Sequence, residues 1–227
     1  MAFYYLLLGH LIGDFVLQTD KIAENKGRYL RWNFLHALVV TLCILFFAYP
    51  FSLPYLCILL VNGIAHFLLD YYKTPVVKKL HLPELAGFLL DQFIHISLLY
   101  FISRFDAHSG RPAIDFVTVK YLTVLVIVTS FSAVFTQFIL AAVFRRDGSR
   151  FFKKGEKNVG ILARVYMAVV FYLSYVQSPG YLFLLLVIAA AFFLQFRLGW
   201  NKWMSASQLA VKLLLDLAIS FACVFLL

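Results

Sequence analysis

Ala65-His66-Phe67-Leu68-Leu69-Asp70-Tyr71-Tyr72-Lys73 closes a long apolar run, and its reading decides the fold. His66, Asp70 and Lys73 stand at i, i+4 and i+7 and share one helical face. An ionised Asp at the middle of a membrane helix costs about 2.5–3.5 kcal/mol on insertion scales. Side chains that carry this cost face a protein interior or a water-filled cavity, and mark functional sites by default.

The surrounding composition is that of a membrane protein. The chain is 63% hydrophobic and only 14% charged, where a soluble domain carries about 25% charged residues. Several apolar runs are long enough to cross a bilayer, and the strand alternation of an outer-membrane barrel is absent. The expected fold is all-α, a polytopic transmembrane helical bundle. Eight spans are expected, at about 3–19, 34–49, 54–72, 85–103, 117–144, 160–177, 179–196 and 207–227. They divide into a four-helix membrane domain over 1–105 and a four-helix scaffold domain over 117–227.

The net charge of +9 sits between the spans. It reads as the lysine and arginine excess of cytoplasmic loops, not as a nucleic-acid surface, because no soluble basic domain presents it. Lys21, Lys26, Arg28 and Arg31 fill the first loop, and Lys73, Lys78 and Lys79 the third. Arg145, Arg146, Arg150, Lys153, Lys154 and Lys157 fill the fifth, a candidate contact for anionic headgroups or a protein partner. Odd loops then face the cytoplasm, giving an N-out/C-out, multi-pass protein of the cell membrane. The first run lacks a basic leader and already holds His10 and Asp14, so no cleavable signal is expected. Cys43, Cys57 and Cys223 are single and read as small apolar residues. Trp32, Trp200 and Trp203 read as interfacial anchors, and His81 and His108 as loop histidines.

This topology sorts the polar residues by depth. In spans one and three the imidazole comes first and the carboxylate four residues later: His10 and Asp14, His66 and Asp70. Span four runs the other way, and its order is reversed, Asp91 before His95. A reversed helix needs the reversed sequence to present the same pair at the same depths. The result is a deep layer of His10, His66 and His95 and a shallow layer of Asp14, Asp70 and Asp91, with His36 at the inner level of span two. Gln18 and Gln92 lie beside them as supporting hydrogen-bond partners, and Lys73 belongs at the mouth. H-x-x-x-D-aromatic recurs at His10–Phe15 and His66–Tyr71, which suggests parallel repeats. In the second half, Lys212 and Asp216 are expected to neutralise each other and Arg164 to snorkel.

Gly9-His10-Leu11-Ile12-Gly13-Asp14-Phe15-Val16-Leu17-Gln18-Thr19, then His36, His66 to Asp70 with Lys73, and Asp91-Gln92-Phe93-Ile94-His95 resemble the bacterial membrane family called domain of unknown function 3307. The resemblance covers about 1–105 and implies a bacterial inner-membrane protein without implying an activity. A looser likeness links the chain to bacterial inner-membrane proteins named as metal-dependent hydrolases, which also carry His and Asp in membrane helices; it is associational.

Three functions fit these residues. The first is a metal-dependent hydrolase acting on a lipid or amphiphilic phosphate. Its ligands are drawn from His10, Asp14, His36, His66, Asp70, Asp91 and His95, its metal is zinc, manganese or iron, and Asp14, Asp70, Asp91 and Lys73 are its catalytic candidates. Membrane lipids are the expected partners, nucleic acid is not, and protein partners and oligomeric state stay open. The second is a proton- or ion-coupled transporter, in which His and Asp relay protons. The third is a non-catalytic scaffold or interaction protein, in which His–Asp pairs join helices by hydrogen bonds worth about 0.6–2 kcal/mol each. H-E-x-x-H, G-x-S-x-G and the P-loop are absent.

Overall fold

The structure, a computed structural model, describes residues 1–105, 112–144, 154–197 and 205–226; side chains of 154–159, 192 and 194–197 are left aside. Ten α-helices make up the described residues: α1 (Ala2–Leu11), α2 (Asp20–Asn25), α3 (Leu30–Ala48), α4 (Leu53–Lys79), α5 (Glu84–Ile102), α6 (Phe116–Val126), α7 (Ser132–Phe144), α8 (Lys154–Val176), α9 (Leu185–Arg197) and α10 (Ala206–Val224). π-helical turns extend α1 over Ile12–Val16 and join α6 to α7 over Ile127–Phe131. The chain separates into two compact units, Met1–Val126 and Ile127–Leu227.

The all-α, multi-pass membrane class holds, but the count of about eight spans does not. Among the described residues, five helices are long and apolar enough to cross a membrane: Leu30–Ala48, Leu53–Lys79, Glu84–Phe105, Phe116–Phe144 and Ala206–Val224. The runs expected at 3–19, 160–177 and 179–196 become the shorter apolar helices Ala2–Val16, Gly160–Val176 and Pro179–Ala191. At 1.5 Å per residue Ala2–Val16 falls short of a hydrocarbon core about 30 Å thick. The N-out/C-out orientation rested on the count of eight and is not retained.

Local chemistry explains the short elements. The first run leaves the helix at a π turn, where the Leu17 amide donates to Ile12 O at 2.9 Å. Thr19 then caps a new helix, its side chain accepting from the Ile22 amide at 3.3 Å. After Ser178-Pro179 the chain opens as a 3₁₀ helix over Pro179–Leu184, with the Ser178 hydroxyl accepting from the Gly180 amide. Arg145, Arg146, Arg150, Lys153, His108, Trp200 and Trp203 lie outside the described residues, as do the side chains of Lys154 and Lys157.

In the first unit, α1, α3, α4 and α5 share one apolar core. Leu6 comes from early α1, Ile44 and Ala48 from late α3, Tyr55 and Leu59 from early α4, and Leu99 and Ile102 from late α5. Alternating helix ends meet there, so the helices run antiparallel in chain order and their opposite halves meet at the other end. The α1–α3 contact is backbone against backbone. A Cβ on Gly9 would lie 2.6 Å from Ile44 Cα, and one on Gly13 2.7 Å from Val40 Cα. Small residues four apart allow this approach between membrane helices.

The second unit is organised around a buried arginine. Arg164 is 2% exposed and does not snorkel as expected. Its Nε donates to Val128 O at 2.7 Å and its NH2 to Thr129 O at 3.2 Å, both carbonyls of the π turn. Its NH1 donates to Asp216 Oδ1 at 3.0 Å, and the other Asp216 oxygen accepts from Lys212. Lys212 and Asp216 do pair, with Arg164 as a further partner.

The glycine contacts yield a stability prediction. Gly9→Ala or Gly13→Ala forces α1 away from α3 and costs about 1–3 kcal/mol, the range for overpacking. Gly180→Ala, whose added Cβ would meet only Ser178 Oγ at 3.5 Å, stays within about 0.5 kcal/mol of wild type. Thermal unfolding in detergent reads the difference, and equal midpoints for the three variants would refute the packing argument.

Candidate metal centre

The ends of α1, α3, α4 and α5 opposite the apolar core carry the ionisable residues. α1 supplies His10 and its π turn Asp14; α3 supplies His36; α4 supplies His66, Asp70 and Lys73; α5 supplies Asp91, Gln92 and His95. The four imidazoles and three carboxylates are all buried, none more than 8% exposed. The Gly9 and Gly13 approach brings Asp14 against α3, and Asp14 Oδ1 lies 3.0 Å from His36 Nε2. π turns recur at functional sites because they re-aim one side chain within a helix, and Asp14 sits in such a turn.

The imidazoles cluster. His10, His66 and His95 form a triangle, with ring centroids 4.2 Å apart for His66 and His95, 5.4 Å for His95 and His10 and 5.6 Å for His10 and His66, and His36 stands 5.3 Å from His66. Carboxylates line the cluster. Asp70 Oδ2 is 3.2 Å from His36 Nε2 and 3.8 Å from His66 Nε2, and its Oδ1 is 3.6 Å from His95 Nε2. Asp91 Oδ1 is 3.5 Å from the same nitrogen. The reversed order of Asp91 and His95 therefore puts them level with Asp70 and His66. His10 Nε2 lies 3.9 Å from Asp14 Oδ2, beyond hydrogen-bond reach.

Two groups have metal-ligand spacing: Asp14, His36 and His66, and His66, Asp70 and His95, each with its donor atoms within 4.8 Å of one another. Both can coordinate a divalent cation. Bonds of 2.0–2.1 Å in a tetrahedral zinc site put neighbouring donors about 3.3 Å apart. His36 Nε2 is 3.0 Å from Asp14 Oδ1, 3.2 Å from Asp70 Oδ2 and 3.3 Å from His66 Nε2. One ring nitrogen thus faces several acceptors at the spacing of a coordination polyhedron. His10 Nε2, His95 Nε2 and His36 Nδ1 are buried without a hydrogen-bond partner. Such atoms are costly unless an ion or ordered water meets them. A ring nitrogen has one lone pair, so the groups sharing His66 describe overlapping positions unless His66 uses both nitrogens.

The flanking residues divide. Gln92 Nε2 donates to Asp14 Oδ2 at 2.9 Å and approaches Asp91 Oδ2 at 3.4 Å. Gln18 lies past the π turn, its Oε1 buried without a partner. Lys73 Nζ, 30% exposed, is 2.8 Å from Asp91 Oδ2. His81 follows α4 with a positive φ of 51°. Asn33, fully buried on α3, donates to Phe67 O at 3.0 Å and ties α3 to α4.

Sequence reasoning missed Lys26. Its ammonium enters the cluster from the turn after α2, 2.9 Å from Asp70 Oδ2, 3.0 Å from His36 Nε2 and 3.6 Å from Asp14 Oδ1. α2 positions it by burying Ile22, whose carbonyl accepts from the Lys26 amide at 2.8 Å. Burial disfavours the charged amine, but the Asp70 and Asp14 carboxylates outweigh it and hold its pKa above the usual lysine range. Lys26 therefore stays protonated across the physiological range. Placed among basic loop residues, it carries no signal in the sequence that sets it apart.

Fold and site define a multi-pass α-helical membrane protein with a buried His/Asp centre able to hold a divalent cation. The chain belongs to the family described as Protein of unknown function (DUF3307), which matches residues 2–124. The match includes every residue of the centre and runs beyond the first 105 residues. No curated protein and no solved structure matches the chain.

Asp70 contacts Lys26 and three of the four imidazoles, His36, His66 and His95, so its charge is a sensitive one. Asp70→Asn in metal-chelated protein strips Lys26 of its nearest partner and lowers stability by about 3–5 kcal/mol, the cost of breaking a buried ion pair. Asp115→Asn, in an exposed turn where Asp115 caps Thr118, is expected to change stability far less, because Asn caps a helix about as well as Asp. Equal losses would show that Asp70 is not a hub.

Proposed function

We infer that the first unit is a metal-dependent hydrolase of the bacterial inner membrane, acting on a lipid or amphiphilic phosphate-type substrate. The observation that carries this reading is the convergence of buried imidazole and carboxylate donors at coordination spacing around His36 Nε2. Asp14, His36, His66, Asp70 and His95 are the proposed ligands for zinc, manganese or iron. A bound ion of this kind supplies a Lewis acid and a water whose pKa falls to about 7.

The remaining residues take the other roles. Asp91 stands outside both ligand groups and is the proposed proton acceptor, its Oδ1 3.5 Å from His95 to pass the proton on. Lys73, the partly exposed cation on Asp91, is the proposed first contact for a phosphate oxygen. Gln92 holds Asp14 through its amide. His10, with an unpartnered Nε2, is available to a second ion or an ordered water. The substrate class follows from setting: exposed apolar residues such as Leu68, Tyr71, Phe93 and Ile94 lie on the helices that carry the site, so an acyl chain can pack where the headgroup reaches the ions.

The clustered imidazoles support a second reading, proton- or ion-coupled transport. The apolar core of Leu6, Val40, Ile44, Leu59 and Leu99 weighs against it, because it packs the same helices beyond the cluster.

Elemental analysis of detergent-purified protein is expected to find about one equivalent of zinc, manganese or iron, lost in His66→Ala. Asp91→Asn is expected to keep the metal and to lose about 10²-fold in phosphate-ester hydrolysis, the scale of general-base catalysis. Metal-free wild-type protein that carries proton flux in liposomes would replace the hydrolase with the transporter.

A further inference from the structure

Lys26 caps a set of acceptors that resembles a coordination site approached from one side. Asp70 Oδ2, His36 Nε2 and Asp14 Oδ1 surround its ammonium at 2.9, 3.0 and 3.6 Å. These three atoms span both ligand groups and unite Asp14 with Asp70, which neither group does. An ammonium only donates, so a hydrogen bond between Lys26 Nζ and His36 Nε2 requires the His36 tautomer with that nitrogen unprotonated. A metal would take the same lone pair. In that tautomer Lys26 and an ion compete for His36 Nε2.

Charge leads to the same conclusion. Asp14, Asp70 and Asp91 bring three negative charges, and Lys26 and Lys73 bring two positive ones. With neutral imidazoles the cluster is left at −1. Exchanging Lys26 for a divalent ion brings it to zero. The low-dielectric setting penalises net charge, so the divalent ion in place of Lys26 suits the cluster better than Lys26 alone at −1 or both cations together at +1. The arm that carries Lys26 is short and held by few contacts: α2 spans only six residues with Ile22 its one buried residue, and Lys21 on it and Arg28, Leu30 and Arg31 beyond it are exposed. Its side chain keeps 17% of its surface in contact with the outside.

We propose that Asp14, His36 and Asp70 form the seat of the divalent cation, that Lys26 holds this seat in the metal-free protein, and that ion binding displaces the Lys26 side chain together with the segment around α2. The proposal rests on the metal reading above and adds its ligand set and its competitor. Lys26 is thus an internal counter-ion: it keeps the acceptors apart from one another's charge until the metal arrives, and it sets the metal affinity by competing for it.

Calorimetric titration of the full chain in detergent with Mn²⁺ or Zn²⁺ tests this. Lys26→Met is expected to bind about tenfold tighter than wild type, and Lys26→Arg no tighter than wild type. Lys21→Gln, which removes a neighbouring exposed charge, is expected to stay within about twofold. Equal or weaker binding by Lys26→Met overturns the competitor while leaving the metal reading in place. An absence of binding in all four proteins overturns both. A second measurement needs no variant: trypsin cleavage of wild type at Lys26 and Arg28 is expected to quicken several-fold when the ion is added. Cleavage that is unchanged or slowed by a saturating ion overturns the displacement of the segment.

Discussion

A set of lone pairs pointed at one another inside a membrane protein has to be held by positive charge. His36 Nε2 lies 3.0–3.3 Å from two carboxylates and a second imidazole. Without a cation or shared protons, that grouping is repulsive in a medium where charges interact strongly. The rest of the first unit serves this constraint. Gly9 and Gly13 let α1 approach α3 until Asp14 reaches His36, Asn33 ties α3 to the carbonyl of Phe67, and Gln92 holds Asp14 from α5. Lys26 and Lys73 then supply the charge.

What the sequence disclosed was the part written in helical spacing. His66 and Asp70 at i,i+4 fix a shared face whatever the rest of the protein does, and Asp91–His95 in reversed order fixes the direction of α5 relative to α4. Lys26 escaped because its role depends on a turn folding back between helices, and nothing in a basic loop distinguishes the lysine that turns inward. Arg164 escaped for a related reason: its partners Val128 O and Thr129 O are freed by a π turn, and hydropathy does not report where a helix changes its hydrogen-bond register. The span count failed on the same ground. A run of apolar residues sets composition, while the position at which the backbone ladder stops, at Val16 in the first run, decides whether the helix is long enough.

The two units solve the burial of charge differently. In the second, Arg164 spends its donors on two carbonyls and a carboxylate, and Lys212 takes the other oxygen of Asp216. Three N–H donors of one guanidinium are spread over three acceptors, which suits a structural pin between helices. In the first unit the ring nitrogens of His10 and His95 are left without partners, although the acceptor-rich neighbourhood would let one more hydrogen-bonded residue satisfy them. A packing device has no use for orphaned imidazoles, since an apolar side chain would fill the space without the insertion cost. An ion-binding device needs them.

The depth ordering carries the last step. Imidazoles lie next to the apolar core of Leu6, Val40, Ile44 and Leu99, and carboxylates lie toward the two lysines. A transport path would need polar side chains on both sides of the imidazoles, so that a proton or ion reaching His10 could continue. The neighbouring layer is mostly hydrocarbon, which cannot solvate charge, with Asn62, buried one turn from His66 on α4, as a polar residue within it. Cations stand at one end of the arrangement and a mainly apolar layer at the other, so the charged contacts lie on the side of Lys26 and Lys73. That favours a reaction on a headgroup presented at the mouth over passage along the bundle, and it makes the two lysines, more than the buried histidines, the residues that decide what the centre meets.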